Sequence, residues 1–339
     1  MIENKRNNSI DFFRYLCAIM VVAIHTHPFA DISEYLEVIC SEIIPSMAVP
    51  FFFAVSGYYF WNGLEKKQNY FNKYLKRILK LYFTWSCIYW VIDFFRWGYD
   101  KPIMFIRDCL YGFFITGSHY HFWYFVSLIY VICIITILYK LNINKNIVIT
   151  ISMIFYIIGC SGSLYSEKMV DVPILKYLFV SEKIDFVRKI IFIAFPFFVL
   201  GILLNTIEKN SSIANRKTTY IFCMAIVLWI IENVIIRVKN YQESTSYTLG
   251  LYLIILVLII KLISNPLPQY VCLAQKSRII SEIIFCSHPL FIMIIKYINK
   301  CLNGKIIMSN TIIFVLTIIL SHLLGYIFFR IKTHRINKH

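Results

Sequence analysis

The stretch Asp11-Phe12-Phe13-Arg14-Tyr15-Leu16-Cys17-Ala18-Ile19-Met20-Val21-Val22-Ala23-Ile24-His25-Thr26-His27-Pro28 sets the class of the whole chain. It is apolar enough and long enough for a membrane helix, yet it carries an arginine and a histidine. Arg14 and His25 stand eleven positions apart. At roughly 100° per residue this spacing closes to within about 20° of three turns, so both side chains leave one face. Along the axis they are roughly 16 Å apart, about half the thickness of a bilayer core. Ala18 and Val21 lie on the stripe between them, with Cys17 and Val22 beside it. The pattern reads as one wall of a polar passage.

The rest of the chain has the same character. Of 339 residues, 59% are hydrophobic and only 15% charged, where a soluble domain has about a quarter charged. Ten apolar runs recur, at about 10–27, 43–61, 75–95, 120–140, 146–162, 190–206, 218–237, 247–264, 279–297 and 308–330. The fifth and sixth are the short ones. The expected fold is all-α, a polytopic integral membrane bundle of about ten transmembrane helices. No linker or soluble insert interrupts it, so 1–339 is expected to be a single domain. The first run lacks a small-residue cleavage site, so no cleavable signal peptide is expected.

The net charge of +16 could suggest a nucleic-acid partner in a soluble protein. Here the basic residues sit between apolar runs, where they mark topology and meet lipid headgroups of the bilayer. No nucleic acid is expected. The first connection is acidic (Asp31, Glu34, Glu37, Glu42), and the second is the most basic (Lys66, Lys67, Lys73, Lys76, Arg77). The positive-inside rule then places both termini in the cytoplasm, Arg14 toward the inner side and His25 toward the outer side of the cell membrane. None of the ten cysteines forms a CxxC pair, and no metal or disulfide framework is read.

Several side chains stand out. His25 is the general-base candidate, because an imidazole titrates near neutrality. Arg14 holds its proton and suits an anion or carbonyl clamp, with Asp11 three residues earlier to orient it. Lys73, Lys76, Arg77 and Lys80 recur at helical spacing at the edge of the third run. They fit either snorkelling toward lipid phosphates or a dock for an anionic cytosolic cofactor. Pro45, Pro50, Ser56 and Gly57 mark a second run built for close packing or for a site. His119 and His121 alternate with aromatic residues before the fourth run, and Glu282 and His288 lie inside the ninth. The chain has no GxSxG, HExxH, Walker or GxGxxG motif. The residues alone leave two readings open: a membrane-embedded acyl or proton transfer site, or a transport pathway.

The Arg-x10-His helix resembles the signature of the membrane acyltransferase-three family. The resemblance continues in order along the chain. It takes in Phe51 to Tyr58 around Ser56-Gly57, the basic entry Lys76-Arg77-Ile78-Leu79-Lys80, the block His121-Phe122-Trp123-Tyr124-Phe125, and Ser281 to Leu290 with its His-Pro pair. Lys76 and Lys80 stand where that family often has arginines, and a lysine ammonium meets a phosphate as a point charge rather than as a bidentate fork. The resemblance implies an integral membrane acyltransferase that moves an acyl group from cytosolic acyl-CoA (acetyl-CoA first among them) to a hydroxyl or amine of an envelope glycan, wall polymer or small metabolite. It implies Arg14 and His25 as the central catalytic pair and Lys73, Lys76, Arg77 and Lys80 as acyl-CoA contacts. Asp11, Ser56, His121, Trp123, Glu282 and His288 would line the site. Loops 96–119 and 163–189 are expected to shape the acceptor end. Ala23-Ile24-His25, Val49-Pro50 and Ser56-Gly57-Tyr58-Tyr59 are also similar to the membrane half of vancomycin-resistance serine racemases, which implies the alternative of a small-solute transporter such as one for L-serine. No appended esterase-like or racemase domain is expected after residue 330. A homodimer is an assembly the sequence permits.

Overall fold

The computed structural model describes residues 7–97, 102–164, 184–210, 216–238, 248–301 and 308–336. Among these the protein is all-α. Its helices are α1 (Asn8–Thr26), α2 (Glu34–Lys66, including a π turn Val38–Ile43 and a 3-10 turn Ile44–Met47), α3 (Tyr70–Trp97), α4 (Pro102–Tyr111), α5 (Trp123–Lys140) and α6 (Lys145–Leu164). There follow α7 (Phe195–Asn210, entered through Asp185–Arg188 and the π turn Lys189–Ala194), α8 (Arg216–Val238), α9 (Leu249–Ser264), α10 (Val271–Cys301) and α11 (Asn310–Ile336). Eight helical stretches among the described residues are long and apolar enough to cross a membrane, and Lys145–Ser161 and Leu249–Ser264 are shorter apolar helices. The chain is a multi-pass membrane protein.

All ten expected runs are helical. The lengths differ from expectation at three places. The sixth run is not short, because the turn Lys189–Ala194 carries the helix back to Asp185. The eighth is short instead, at 16 residues. The expected loop 96–119 holds a helix, α4, while residues 98–101 and 165–183 of the two expected acceptor loops lie outside the described residues.

The chain forms two compact units, Met1–Phe52, Ile213–Met224 and Ile254–His339 in the first, and Phe53–Ser212 with Ala225–Leu253 in the second. In the first unit α1 packs on α10, and α10 on α11. The start of α1 is tied down by side chains. Asn7 caps the helix by accepting from the Ile10 N–H at 3.2 Å, and its amide donates to the Leu262 carbonyl at 2.9 Å. Asn8 donates to Leu267 at 2.9 Å, and Ser9 to Asn265. At the other end His27 takes a left-handed conformation (φ 49°), returns its N–H to Ala23 and ends the helix.

In the second unit the Phe53–Lys66 part of α2 crosses α7 at Gly57 and Gly201. A methyl group on Gly57 would overlap the Phe198 carbonyl, and one on Gly201 would overlap that of Ala54. Gly57 thus serves the close backbone approach expected of it. Tyr156 of α6 donates to the Thr248 carbonyl at 2.7 Å. Glu232 of α8 accepts from the first N–H groups of α9, Leu249 at 3.0 Å and Gly250 at 2.7 Å, and so caps that helix with a carboxylate.

The fourth passage, Pro102–Lys140, is a broken helix. After α4, the π turn Gly112–Thr116 ends at Gly117, whose φ of 97° suits glycine. A 3-10 turn, Tyr120–Phe122, then leads into α5. The descent can be followed along α3. Phe105 meets Phe94 at 5.4 Å, and eight residues later Phe113 stacks on Tyr82 at 4.5 Å. Tyr82 lies fifteen residues before the end of α3, roughly 22 Å along its axis, so the break falls near the middle of that helix. Backbone freed at such a place needs partners from the protein. Tyr82 supplies two: its hydroxyl donates to the Phe113 carbonyl at 2.9 Å and accepts the Ser118 N–H at 3.0 Å.

Candidate functional site

In the first unit the face of α1 presents two polar stations. At its first turn the Asp11 carboxylate, almost fully buried, has the Arg14 guanidinium at 3.8 Å, as i, i+3 spacing allows. Arg278 from α10 reaches the same carboxylate at 3.4 Å. The sequence singled out Asp11 and Arg14. Arg278 was not singled out, since nothing local in the chain links it to Asp11. Glu282 sits one turn further along α10 and is half-buried.

At the far end of α1, His25 stacks on His288. The ring centroids are 5.3 Å apart and the planes 15° from parallel. These two histidines, picked from separate helices, are brought together by the packing of α1 on α10. His288 is fully buried, and its Nδ1 lies 3.1 Å from the Ile284 carbonyl. A carbonyl oxygen only accepts, so Nδ1 carries the proton and, in the neutral ring, Nε2 holds the lone pair. Between the stations Cys17, Ala18 and Val22 are 0% exposed and Val21 2%. The stripe expected to line a passage is closed here by packing.

The remaining expected residues lie in the second unit. Ser56 is buried, with its hydroxyl 3.3 Å from that of Tyr124. His121 is buried in the break of the fourth passage, its Nδ1 3.1 Å from Nδ1 of His119, which stacks on Tyr89 at 4.3 Å. Trp123 is half-buried under the Lys189 ammonium, 5.5 Å from the ring centre. Lys73, Lys76, Arg77 and Lys80 are all exposed on α3, where Ile78 is buried on the opposite side. Tyr82 and Tyr89 were missed. Both are aromatic residues at helical spacing in an apolar run, and only the fold gives their hydroxyl and ring a polar partner. In the first unit, His322 of α11 meets the Tyr15 hydroxyl at 2.9 Å through Nδ1.

The acyltransferase-three family model, described as an acyltransferase domain, matches residues 7–330. The chain belongs to this family. Curated relatives of this acyltransferase-three protein include an amino-acid racemase of Enterococcus faecalis, 28% identical over 335 residues, which cover 96% of this chain and 46% of that protein. A second amino-acid racemase of the same species is 30% identical over 66% of this chain and 32% of its own length. A serine/alanine racemase of Enterococcus gallinarum is 28% identical over 75% of this chain and 36% of its own length. The chain thus spans less than half the length of the curated relatives it matches. No solved structure matches it.

Proposed function

We propose that this protein is a membrane acyltransferase that takes its acyl group from cytosolic acyl-CoA, acetyl-CoA in the simplest case, and gives it to a hydroxyl or amine of an envelope glycan, wall polymer or small metabolite. The observation that carries the reading is the family match across residues 7–330. In this reading Lys73, Lys76, Arg77 and Lys80 meet the phosphates of acyl-CoA at the cytoplasmic face. His25 takes the proton of the acceptor as the acceptor oxygen or nitrogen bonds to the thioester carbon. The carbon–sulfur bond breaks, and the coenzyme A thiolate leaves and is protonated. Arg14 steadies the negative charge of a carbonyl or phosphate group, with Asp11 and Arg278 fixing its place. Glu282 lines the site beside the His25–His288 pair in the first unit; Ser56, His121 and Trp123, in the second unit, are substrate-site residues by family resemblance. The protein works in the cell membrane with both termini cytoplasmic; a homodimer is compatible with this reading.

The test is purified protein in lipid nanodiscs with radiolabelled acetyl-CoA and an extract of envelope polymers and metabolites. Label is expected to move to an acceptor, and His25→Ala is expected to slow transfer by about 10²-fold or more. Equal turnover by wild type and His25→Ala removes His25 from the role of base. Absence of any transfer removes the reading.

One observation favours a second reading. The curated relatives are named amino-acid racemases, and this chain aligns with less than half of each. The same helices then carry a small solute such as L-serine without covalent chemistry. Radiolabelled L-serine flux into vesicles in the absence of acetyl-CoA supports this reading over the first.

A further inference from the structure

The stacked pair at the end of α1 has an asymmetry that assigns different work to its two members. His288 is locked from several sides. Its Nδ1–H bonds the Ile284 carbonyl one turn back, and the Phe285 ring stands 6.3 Å away. Phe285 is itself held by Phe52 at 6.0 Å. Cys286, Ser287 and His288 are 0% exposed. The next residue, Pro289, fixes its own φ and has no N–H to give the Phe285 carbonyl. His25 is half-buried, one residue from the end of α1. A general base must aim one nitrogen at the acceptor proton within hydrogen-bond reach, so rotation of its ring matters as much as its position.

We propose that His288 is the positioning residue of His25. Its buried, hydrogen-bonded ring is a fixed plate, and stacking on that plate sets the plane of the His25 imidazole and the direction of its nitrogens. His288 acts through His25 and needs no contact with substrate. The catalytic consequence rests on the acyl-transfer reading, while the positioning itself can be measured without it.

The two features of His288 can be separated. His288→Phe keeps a flat ring and loses the hydrogen bond to Ile284, whereas His288→Asn keeps a donor for that carbonyl and loses the ring. In the full-length protein in nanodiscs, carbethoxylation of His25 by diethylpyrocarbonate is followed by peptide mass spectrometry. The expected result is a change of about three- to tenfold in the His25 rate in His288→Ala and His288→Asn, the range an aromatic pair is worth, with His288→Phe close to wild type. All three variants matching wild type overturns the proposal. Solid-state NMR of histidine-labelled wild type decides it even where variants fail to fold. A rigid His25 ring with cross-peaks to His288 is expected, and a freely flipping His25 ring overturns it. In the acyl-transfer assay His288→Asn is expected to lower kcat by about tenfold or more with little change in KM, as misorientation of a reacting group does. If wild type transfers no acyl group, the functional reading fails, and the carbethoxylation and NMR results still stand or fall on their own.

Discussion

Arg278 bonds Asp11 at 3.4 Å across 267 positions of sequence, on a carboxylate that Arg14 approaches from within its own helix at 3.8 Å. One buried carboxylate therefore answers to two guanidinium groups, each about one-fifth exposed. Its removal leaves both cations short of a partner. Asp11→Asn is expected to cost about 3 kcal/mol, the lower end for breaking a buried ion pair, read as loss of thermal stability in detergent. Arg278→Ala is expected to cost less, since Arg14 remains. The double variant Arg14→Ala/Arg278→Ala is expected to depart from the sum of the single effects, because both act on one carboxylate.

The break in the fourth passage depends on Tyr82 and Gly117. Tyr82→Phe leaves the Phe113 carbonyl and the Ser118 N–H without their partner, at about 1–3 kcal/mol for each group left unsatisfied. Gly117→Ala combines a positive φ with a methyl group 2.5 Å from the Trp123 nitrogen. Both variants are expected to speed amide hydrogen exchange across residues 112–122 while leaving α10 unchanged. Unaltered exchange in that segment counts against the two-sided role of Tyr82.

Asp31, in the connection after α1, is tied to the start of α11. Desolvation pushes its carboxyl up, but hydrogen bonds from its own backbone, from the Thr311 hydroxyl and N–H, and from the Ser309 hydroxyl outweigh this and hold it below the usual 3.8. A carboxyl held lower in the folded protein than in the unfolded chain stabilises the fold fully above the unfolded value, and the contribution is lost as pH falls through the folded one. Exchange protection of Thr311 is therefore expected to be flat from neutral pH down to about 4 and to decline below it. Asp31→Asn is expected to abolish the decline.

The carboxylate cap on α9 makes a sharper demand on side-chain identity. Glu232→Ala strands the Leu249 and Gly250 N–H groups, and a cost of about 2–4 kcal/mol is expected. Glu232→Gln keeps one acceptor oxygen and is expected to fall between. Gly250→Ala is expected to be at least as damaging, because its methyl group would stand 2.5 Å from the backbone of Trp229. Chemical denaturation of the four proteins side by side gives the ranking.

The ten apolar helices were legible because length and apolarity alone specify a membrane span. The Asp11–Arg14 pair was legible because i, i+3 spacing makes neighbours on any helix. α4 was not, because Arg107 and Asp108 interrupt its apolar run and Gly117 to His119 divide it from α5. In the structure those two charges pair with each other at 3.0 Å on an exposed face, so they leave the helix intact. Arg278 at Asp11 and Tyr82 at the break depend on contacts between helices that no local spacing encodes. His25 and His288 were each visible as ionisable residues in apolar runs, and only the packing of α1 on α10 shows that they share one stack.

The glycine crossing of α2 and α7 has a mechanical meaning. At Gly57 and Gly201 the two backbones touch with no side chain between them, and each leans on a carbonyl of the other helix. Such a contact has no compliant layer to compress, so the helices cannot slide closer, and parting them forfeits the contact outright. The motion left to them is rotation about the crossing point. Within the second unit that crossing is a fulcrum: a small tilt of one helix end is returned, reversed, at the other.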